Sequence, residues 1–145
     1  MKRVLFVCTG NRARSQMAEG LLRHLAGDRF QACSAGTEPK SIARLTGEVM
    51  REIGVDVSGQ RSKSVAEFAG ERFDYVITVC DSARERCPAF PDGGERIHWS
   101  VGASVEAEAR EKPSRAASPA VDLPFGRAME GFLRQEVVES GAPSG

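Results

Sequence analysis

Cys8 and Arg14 stand six positions apart in the run Cys8-Thr9-Gly10-Asn11-Arg12-Ala13-Arg14-Ser15. The apolar stretch Val4-Leu5-Phe6-Val7 before it reads as a buried strand, and Gln16 to Leu22 after it reads as the start of a helix. A thiol at the carboxyl end of a strand, then a turn of small and polar residues, then a helix amino end, is a cradle for an oxyanion with a nucleophile at its base. The backbone N–H groups of Thr9, Gly10, Asn11, Arg12, Ala13 and Arg14 are placed to converge on an anion. The Arg14 guanidinium can bind two oxygens of a tetrahedral oxyanion at once. The same positive surroundings favour the thiolate of Cys8, which is the nucleophilic form. A cysteine that merely packs at a strand end is the alternative, but it leaves the Cys-to-Arg spacing and the strand–turn–helix context unexplained.

The elements that must hold this loop follow from the hydropathy pattern. Strands are expected at Arg3–Val7, Phe30–Ser34, Tyr75–Val79 and Arg96–Trp99. Helices are expected at Ser15–Leu25, at Ser41–Ile53 with Gly54 as its stop, and at Gly126–Glu139, with a short one at Val65–Phe68. Alternation of this kind favours an α/β three-layer sandwich, a four-stranded parallel sheet flanked by helices. Ligands of such sheets sit beyond the carboxyl ends of the strands. Cys8 and Cys80 both fall there, so they share one rim. The chain of 145 residues is expected to form a single domain over 1–139, with an exposed insertion at 101–121 and a disordered tail at 140–145. Twenty basic and twenty acidic residues cancel, which argues against nucleic acid or an anionic membrane as the main partner. No apolar run reaches the length of a membrane span, and Met1-Lys2-Arg3 leads directly into a core strand with no signal-peptide pattern. A cytoplasmic monomer is the expectation, and there cysteines are more often catalytic or metal-binding than structural disulfides.

Four cysteines are present: Cys8, Cys33, Cys80 and Cys87. Cys33, inside a strand, is expected only to pack. If Cys80 to Cys87 were a regular helix, the two thiols would be about 10 Å apart along its axis. A disulfide needs Cα atoms roughly 4.4–6.8 Å apart. A bridge between them would therefore require the segment to unwind, and oxidation should loosen residues Asp81 to Pro91. Zinc binding competes with that reading, but no second cysteine pair accompanies these two and the histidines are His24 and His98. Three thiols in one site would support a relay. Cys8 attacks the bound oxyanion, a second thiol attacks the adduct, and a third carries the resulting disulfide outward. A phosphatase needs only the first cysteine and a water.

Cys8-Thr9-Gly10-Asn11, Ala13-Arg14-Ser15-Gln16-Met17-Ala18-Glu19, Ser34-Ala35-Gly36-Thr37, Ser62-Lys63-Ser64, Thr78-Val79-Cys80-Asp81, Cys87-Pro88 and His98-Trp99 together resemble the thioredoxin-coupled arsenate reductases. That family shares the fold and anion loop of the low-molecular-weight tyrosine phosphatases. The resemblance runs from residue 3 to about residue 100. It implies that Cys8 forms a thiol–arsenate adduct, that Cys80 attacks Cys8 and releases arsenite, and that Cys87 then pairs with Cys80 in a disulfide. Thioredoxin would be the external reductant, with no cofactor bound. Arg14 and the loop amides would bind arsenate, with phosphate or sulfate as competing anions, and Ser15 would stabilise the Cys8 thiolate.

The chain departs from that pattern in three places. Arg12 stands where the family usually has a small polar residue; it either points to solvent or adds positive charge near the site. Some members bind potassium beside the loop, through positions matching Asn11, Glu19 and Ser34 plus an aspartate. Lys63 falls at the aspartate position, where its ammonium could take the ion's place, so no metal is expected. Finally, the family's Asp-Pro soon after His-Trp supplies a general acid. Here residues 101–121 intervene without an aspartate, and Asp122 is the nearest equivalent. Asp122 is the nominated acid, its alternative role being an amino cap for the last helix. Two other functions share the loop: a phosphatase for tyrosine or small phosphoesters, and a non-catalytic oxyanion or redox sensor. Cys80 and Cys87 separate reduction from the first, and turnover separates it from the second.

Overall fold

The structure, a computed structural model, describes residues 2–11, 14–42, 44–79, 83, 85, 94–99 and 126–141, without the side chains of 126 and 136–141. Four strands, β1 (Lys2–Cys8), β2 (Phe30–Gly36), β3 (Tyr75–Thr78) and β4 (Glu95–His98), form one sheet in the order β2-β1-β3-β4. Every pairing is parallel, with Cys8 opposite Gly36 and Thr78 opposite both Val7 and His98. Helices α1 (Arg14–Ala26), α2 (Arg44–Glu52) and α3 (Gly126–Gly141) and a 3₁₀ turn at Val65–Phe68 complete the described elements.

β1 is central, which is why its apolar run is unbroken: a strand of a parallel sheet covered on both faces has no wet side on which polar residues would alternate. Val4, Phe6 and Cys8 face one core with Met17, Leu21 and Leu22 of α1, Met50 of α2 and Met129 and Phe132 of α3. Leu5 and Val7 face a second core with Ala35, Phe73, Val76 and Ala83, on which Val65 and Phe68 pack. Three layers result, as the alternation of strands and helices implies.

Most element ends fall within one or two residues of expectation, and two differences have a physical reason. The second helix starts at Arg44 rather than Ser41. The chain before it is tied to the loop instead: the N–H groups of Thr37, Glu38 and Lys40 donate to the carbonyls of Cys8, Thr9 and Gly10, at 3.1, 2.8 and 2.8 Å. Backbone committed to those bonds cannot also enter a helical turn. At the other end of the chain, Ser140 and Gly141 continue α3 where a disordered tail was expected to open. Once a helix exists, each further residue adds a hydrogen bond without a new nucleation cost. The insertion at 101–121 lies outside the described residues. No helix among the described residues is long and apolar enough to cross a membrane.

Candidate active site

Parallel pairing puts the carboxyl ends of all four strands on one rim, and β1 delivers Cys8 to it, 5% exposed. The chain then turns so tightly that the Asn11 N–H points back at the Cys8 sulfur, 3.0 Å away. That turn requires a left-handed residue, and Asn11 has φ +49°. Asparagine accepts this conformation more readily than most side chains, at a cost on the order of 1 kcal/mol. α1 begins at Arg14, and the amino end of a helix is where N–H groups lack intrahelical partners and favour an anion. Arg14 is half-buried and, among the described residues, has no carboxylate partner.

Cys8 Sγ has a second neighbour, Ser15 Oγ at 2.8 Å. Ser15 Oγ accepts a hydrogen bond from Asn11 Nδ2 at 2.8 Å, which leaves its own proton available to the sulfur. Two donors therefore converge on Cys8, one from backbone and one from a hydroxyl. Sulfur can accept both of these hydrogen bonds.

Asn11 itself is fully buried, and every polar atom of its side chain is engaged. Nδ2 donates to Ser15 and, at 3.1 Å, to Ser34 Oγ; Oδ1 accepts from Gln16 Nε2 at 3.0 Å and from the Lys63 N–H at 2.9 Å. Gln16 also donates to the Asn11 and Arg61 carbonyls, at 3.0 and 2.9 Å. Ser34 donates to the buried Glu19 carboxylate, which takes a second hydrogen bond from Arg23. Lys63 Nζ lies 3.7 Å from Glu19 Oε1 and donates to the Arg61 carbonyl at 3.0 Å. Glu19 is thus already neutralised by two cations of its own chain. The Lys63 ammonium thus stands beside the Glu19 carboxylate, at the place where the potassium-binding pattern has an aspartate. Among the described residues no group of three or more His, Cys, Asp and Glu is placed to hold a metal ion.

Gly36 marks how closely β2 approaches. A Cβ there would lie 2.6 Å from the Thr9 carbonyl oxygen and 3.0 Å from the Asn11 nitrogen. Only glycine lets the strand end lie against the loop. Away from this centre, Cys33 packs on the second core; burial pushes its thiol up from 9.0, with nearby Arg3 pulling it partly back. His98 meets Thr78 Oγ1 through Nδ1 at 2.8 Å, and Trp99 packs on Phe6 and Phe132.

Of the residues singled out from sequence, Cys8, Thr9, Gly10, Asn11, Arg14 and Ser15 come together at this rim. Arg12, Ala13, Cys80, Cys87 and Asp122 lie outside the described residues. Gln16, Glu19, Ser34 and Gly36 were visible as motif letters but carried no role of their own in support of the loop. The available signal was a run of polar residues, Ser15, Gln16 and Glu19, on the otherwise apolar flank of α1, where all three are buried.

A thiol held between donors at the mouth of an anion loop, on a four-stranded parallel sheet, defines a class of enzyme that attacks tetrahedral oxyanions through sulfur. The chain belongs to the low molecular weight phosphotyrosine protein phosphatase family, which it matches over residues 3–107. Its relatives in that family include the arsenate reductase of Halalkalibacterium halodurans, 35% identical over 131 residues, 90% of this chain and 94% of that one. Among solved structures, an arsenate reductase in the phosphate binding state is similar with a TM-score of 0.69 and 26% identity, over 93% of this chain and 98% of that chain. A thioredoxin-dependent arsenate reductase of Corynebacterium glutamicum gives a TM-score of 0.66 and 30% identity, over 94% of this chain and 63% of that chain.

Proposed function

We propose that this enzyme reduces arsenate to arsenite at the Cys8 loop. The observation that carries the reading is the pair of donors, Asn11 N–H and Ser15 Oγ, on a buried thiol at the mouth of the anion loop. Its support from relatives is the arsenate reductase named above, alike over nearly its whole length. Arsenate sits on the amides of residues 9–14 with Arg14 bridging two of its oxygens. The Cys8 thiolate displaces one arsenate hydroxyl, which leaves as water with a proton from Asp122, and a sulfur–arsenic(V) bond forms. Cys80 attacks the Cys8 sulfur. The electron pair of the sulfur–arsenic bond passes to arsenic, which leaves as arsenite, and a Cys8–Cys80 disulfide remains. Cys87 then attacks Cys80, freeing Cys8 and producing a Cys80–Cys87 disulfide. A thioredoxin dithiol reduces that disulfide and becomes oxidised in turn, so two electrons enter for each arsenate consumed. The Corynebacterium glutamicum likeness supports thioredoxin as this reductant.

The test is arsenate-dependent NADPH consumption with thioredoxin and thioredoxin reductase, for the native chain beside Cys87→Ser and Cys8→Ser. Turnover in the native chain, lost in both variants, is the expected result. Cys87→Ser turning over like the native chain would remove Cys87 from the relay. Absence of arsenate-dependent turnover together with hydrolysis of an aryl phosphate by the native chain would move the assignment to a phosphatase.

A further inference from the structure

We propose that Lys40 is a specificity-determining residue that draws anions to Cys8. Acidic and basic residues are equal in number, so the overall field of the chain attracts no oxyanion. Attraction has to come from charges near the mouth of the loop. Three segments touch that loop: α1, residues 37–40 and residues 60–64. Most of their cations are committed. Arg23 and Lys63 both lie against the Glu19 carboxylate, and Lys63 also donates to the Arg61 carbonyl. Arg61 pairs with Glu67 at 2.6 Å. Among the lysines and arginines of these segments, Arg14 and Lys40 have no carboxylate partner within the described residues.

The two differ in where they stand. Arg14 is half-buried at the start of α1, placed to hold an anion that has already arrived. Lys40 is exposed, and its backbone is anchored at the tip of the loop, where its N–H donates to the Gly10 carbonyl at 2.8 Å. From that anchor the ammonium sweeps the mouth on a flexible four-carbon stem. Glu38, exposed on the same segment with its N–H on the Thr9 carbonyl, is the opposing charge. Lys40 offsets it. Without Lys40 the charge of that segment is negative, and an approaching oxyanion meets it first. One unit charge at about 8 Å in water changes the local concentration of a monoanion by about 2-fold, and of a dianion by about the square of that. A charge of this kind acts on encounter and binding rather than on attack by sulfur, and salt screens it.

The inference rests on Cys8 being the reactive thiol, and its test compares two reagents of similar size that differ in charge. Alkylation of Cys8 by anionic iodoacetate and by neutral iodoacetamide is followed at neutral pH by peptide mass spectrometry. The ratio of the two rates cancels any change in the thiol itself. In about 0.02 M salt, where the Debye length is about 20 Å, the iodoacetate-to-iodoacetamide ratio is expected to fall about 2- to 3-fold in Lys40→Gln and about 4- to 8-fold in Lys40→Glu. Lys40→Arg, which keeps the charge, is expected to hold the native ratio. In about 0.5 M NaCl, where the Debye length is about 4 Å, the native and variant ratios should converge. Each variant keeps the backbone N–H that meets Gly10, so the loop retains that bond. A native ratio in both Lys40→Gln and Lys40→Glu at low salt would overturn the proposal. So would a difference that survives 0.5 M NaCl, which marks a local rearrangement instead of a charge. If neither reagent modifies native Cys8, the reading of that thiol as the nucleophile fails on its own, and the phosphate affinity of the native chain and Lys40→Gln, measured by calorimetry at low salt, decides for Lys40. An affinity about 3-fold weaker in the variant is then the expected result, and equal affinities would overturn the proposal.

Discussion

At the scale of single residues, the site depends on the close fit between Gly36 and the loop. Gly36→Ala would drive a Cβ into the Thr9 carbonyl and the Asn11 nitrogen, both backbone atoms that cannot swing aside. The loop must shift, and misplacement of reacting groups by about 1 Å can cost on the order of 10²-fold in rate. Gly36→Ala is therefore expected to lose about two orders of magnitude in kcat/KM for arsenate and to lose protection of Cys8 by phosphate, read by alkylation. Retention of both would mean that the loop tolerates the displacement. Cys8 and Arg14 could be nominated from the sequence because chemistry constrains the residue types of an anion loop: a thiol, an arginine and a small polar turn. Gln16, Glu19 and Ser34 were not, because their role depends on which residues they meet across 5 to 45 positions of chain, as in the Gln16–Arg61 contact. A single sequence shows polarity at a position but not its partner.

At the scale of elements, helix ends explain both success and failure. Gly54 was expected to stop α2, and it does so by a closed motif. It adopts φ +81°, its N–H donates to the Arg51 carbonyl at 3.0 Å, and the Val55 N–H donates to the Met50 carbonyl at 2.9 Å. These bonds satisfy carbonyls that the helix would otherwise leave open. No atom lies within 4 Å of a Cβ built there, so the cost of a side chain is purely conformational. Gly54→Ala is expected to destabilise the fold by about 1 kcal/mol, a fall in Tm of roughly 3–5 °C for a chain of this size. Thermal unfolding followed by circular dichroism checks this, and an unchanged Tm would show the turn to be adaptable. The start of α2 was misplaced for the opposite reason. Ser41 and Ile42 fit a helical periodicity, but their neighbours' N–H groups are taken by the carbonyls of Cys8, Thr9 and Gly10. A local pattern cannot register that competition, because the competing acceptors lie some 30 residues away in β1 and its loop.

At the scale of the whole molecule, the two cores treat their cysteines differently. Cys8 ends in a nest of donors, while Cys33 sits against Leu5, Phe73 and their neighbours, where burial raises its thiol above 9.0. The folded chain therefore keeps the Cys33 proton at a pH where the unfolded chain releases it. Stability from this source is complete below pH 9.0 and declines as pH rises from there through the folded value. Cys33→Ala should flatten the fall in Tm as pH rises above 9.0 relative to the native chain, as thermal scans at a series of alkaline pH values would show; parallel curves would refute it. The parallel sheet covered on both faces follows from the alternation of strands and helices in the sequence, whereas the order β2-β1-β3-β4 depends on pairings that the alternation alone does not fix. The same packing has an optical consequence. Trp99 is the only tryptophan in the chain and is 8% exposed. Its ring lies 5.7 Å from Phe6 of β1 and 6.3 Å from Phe132 of α3, and its backbone N–H donates to the Thr78 carbonyl at the rim that carries Cys8. One native fluorophore thus touches the central strand, the last helix and the rim, so its emission reads the docking of α3 and the integrity of the rim together, with no label attached.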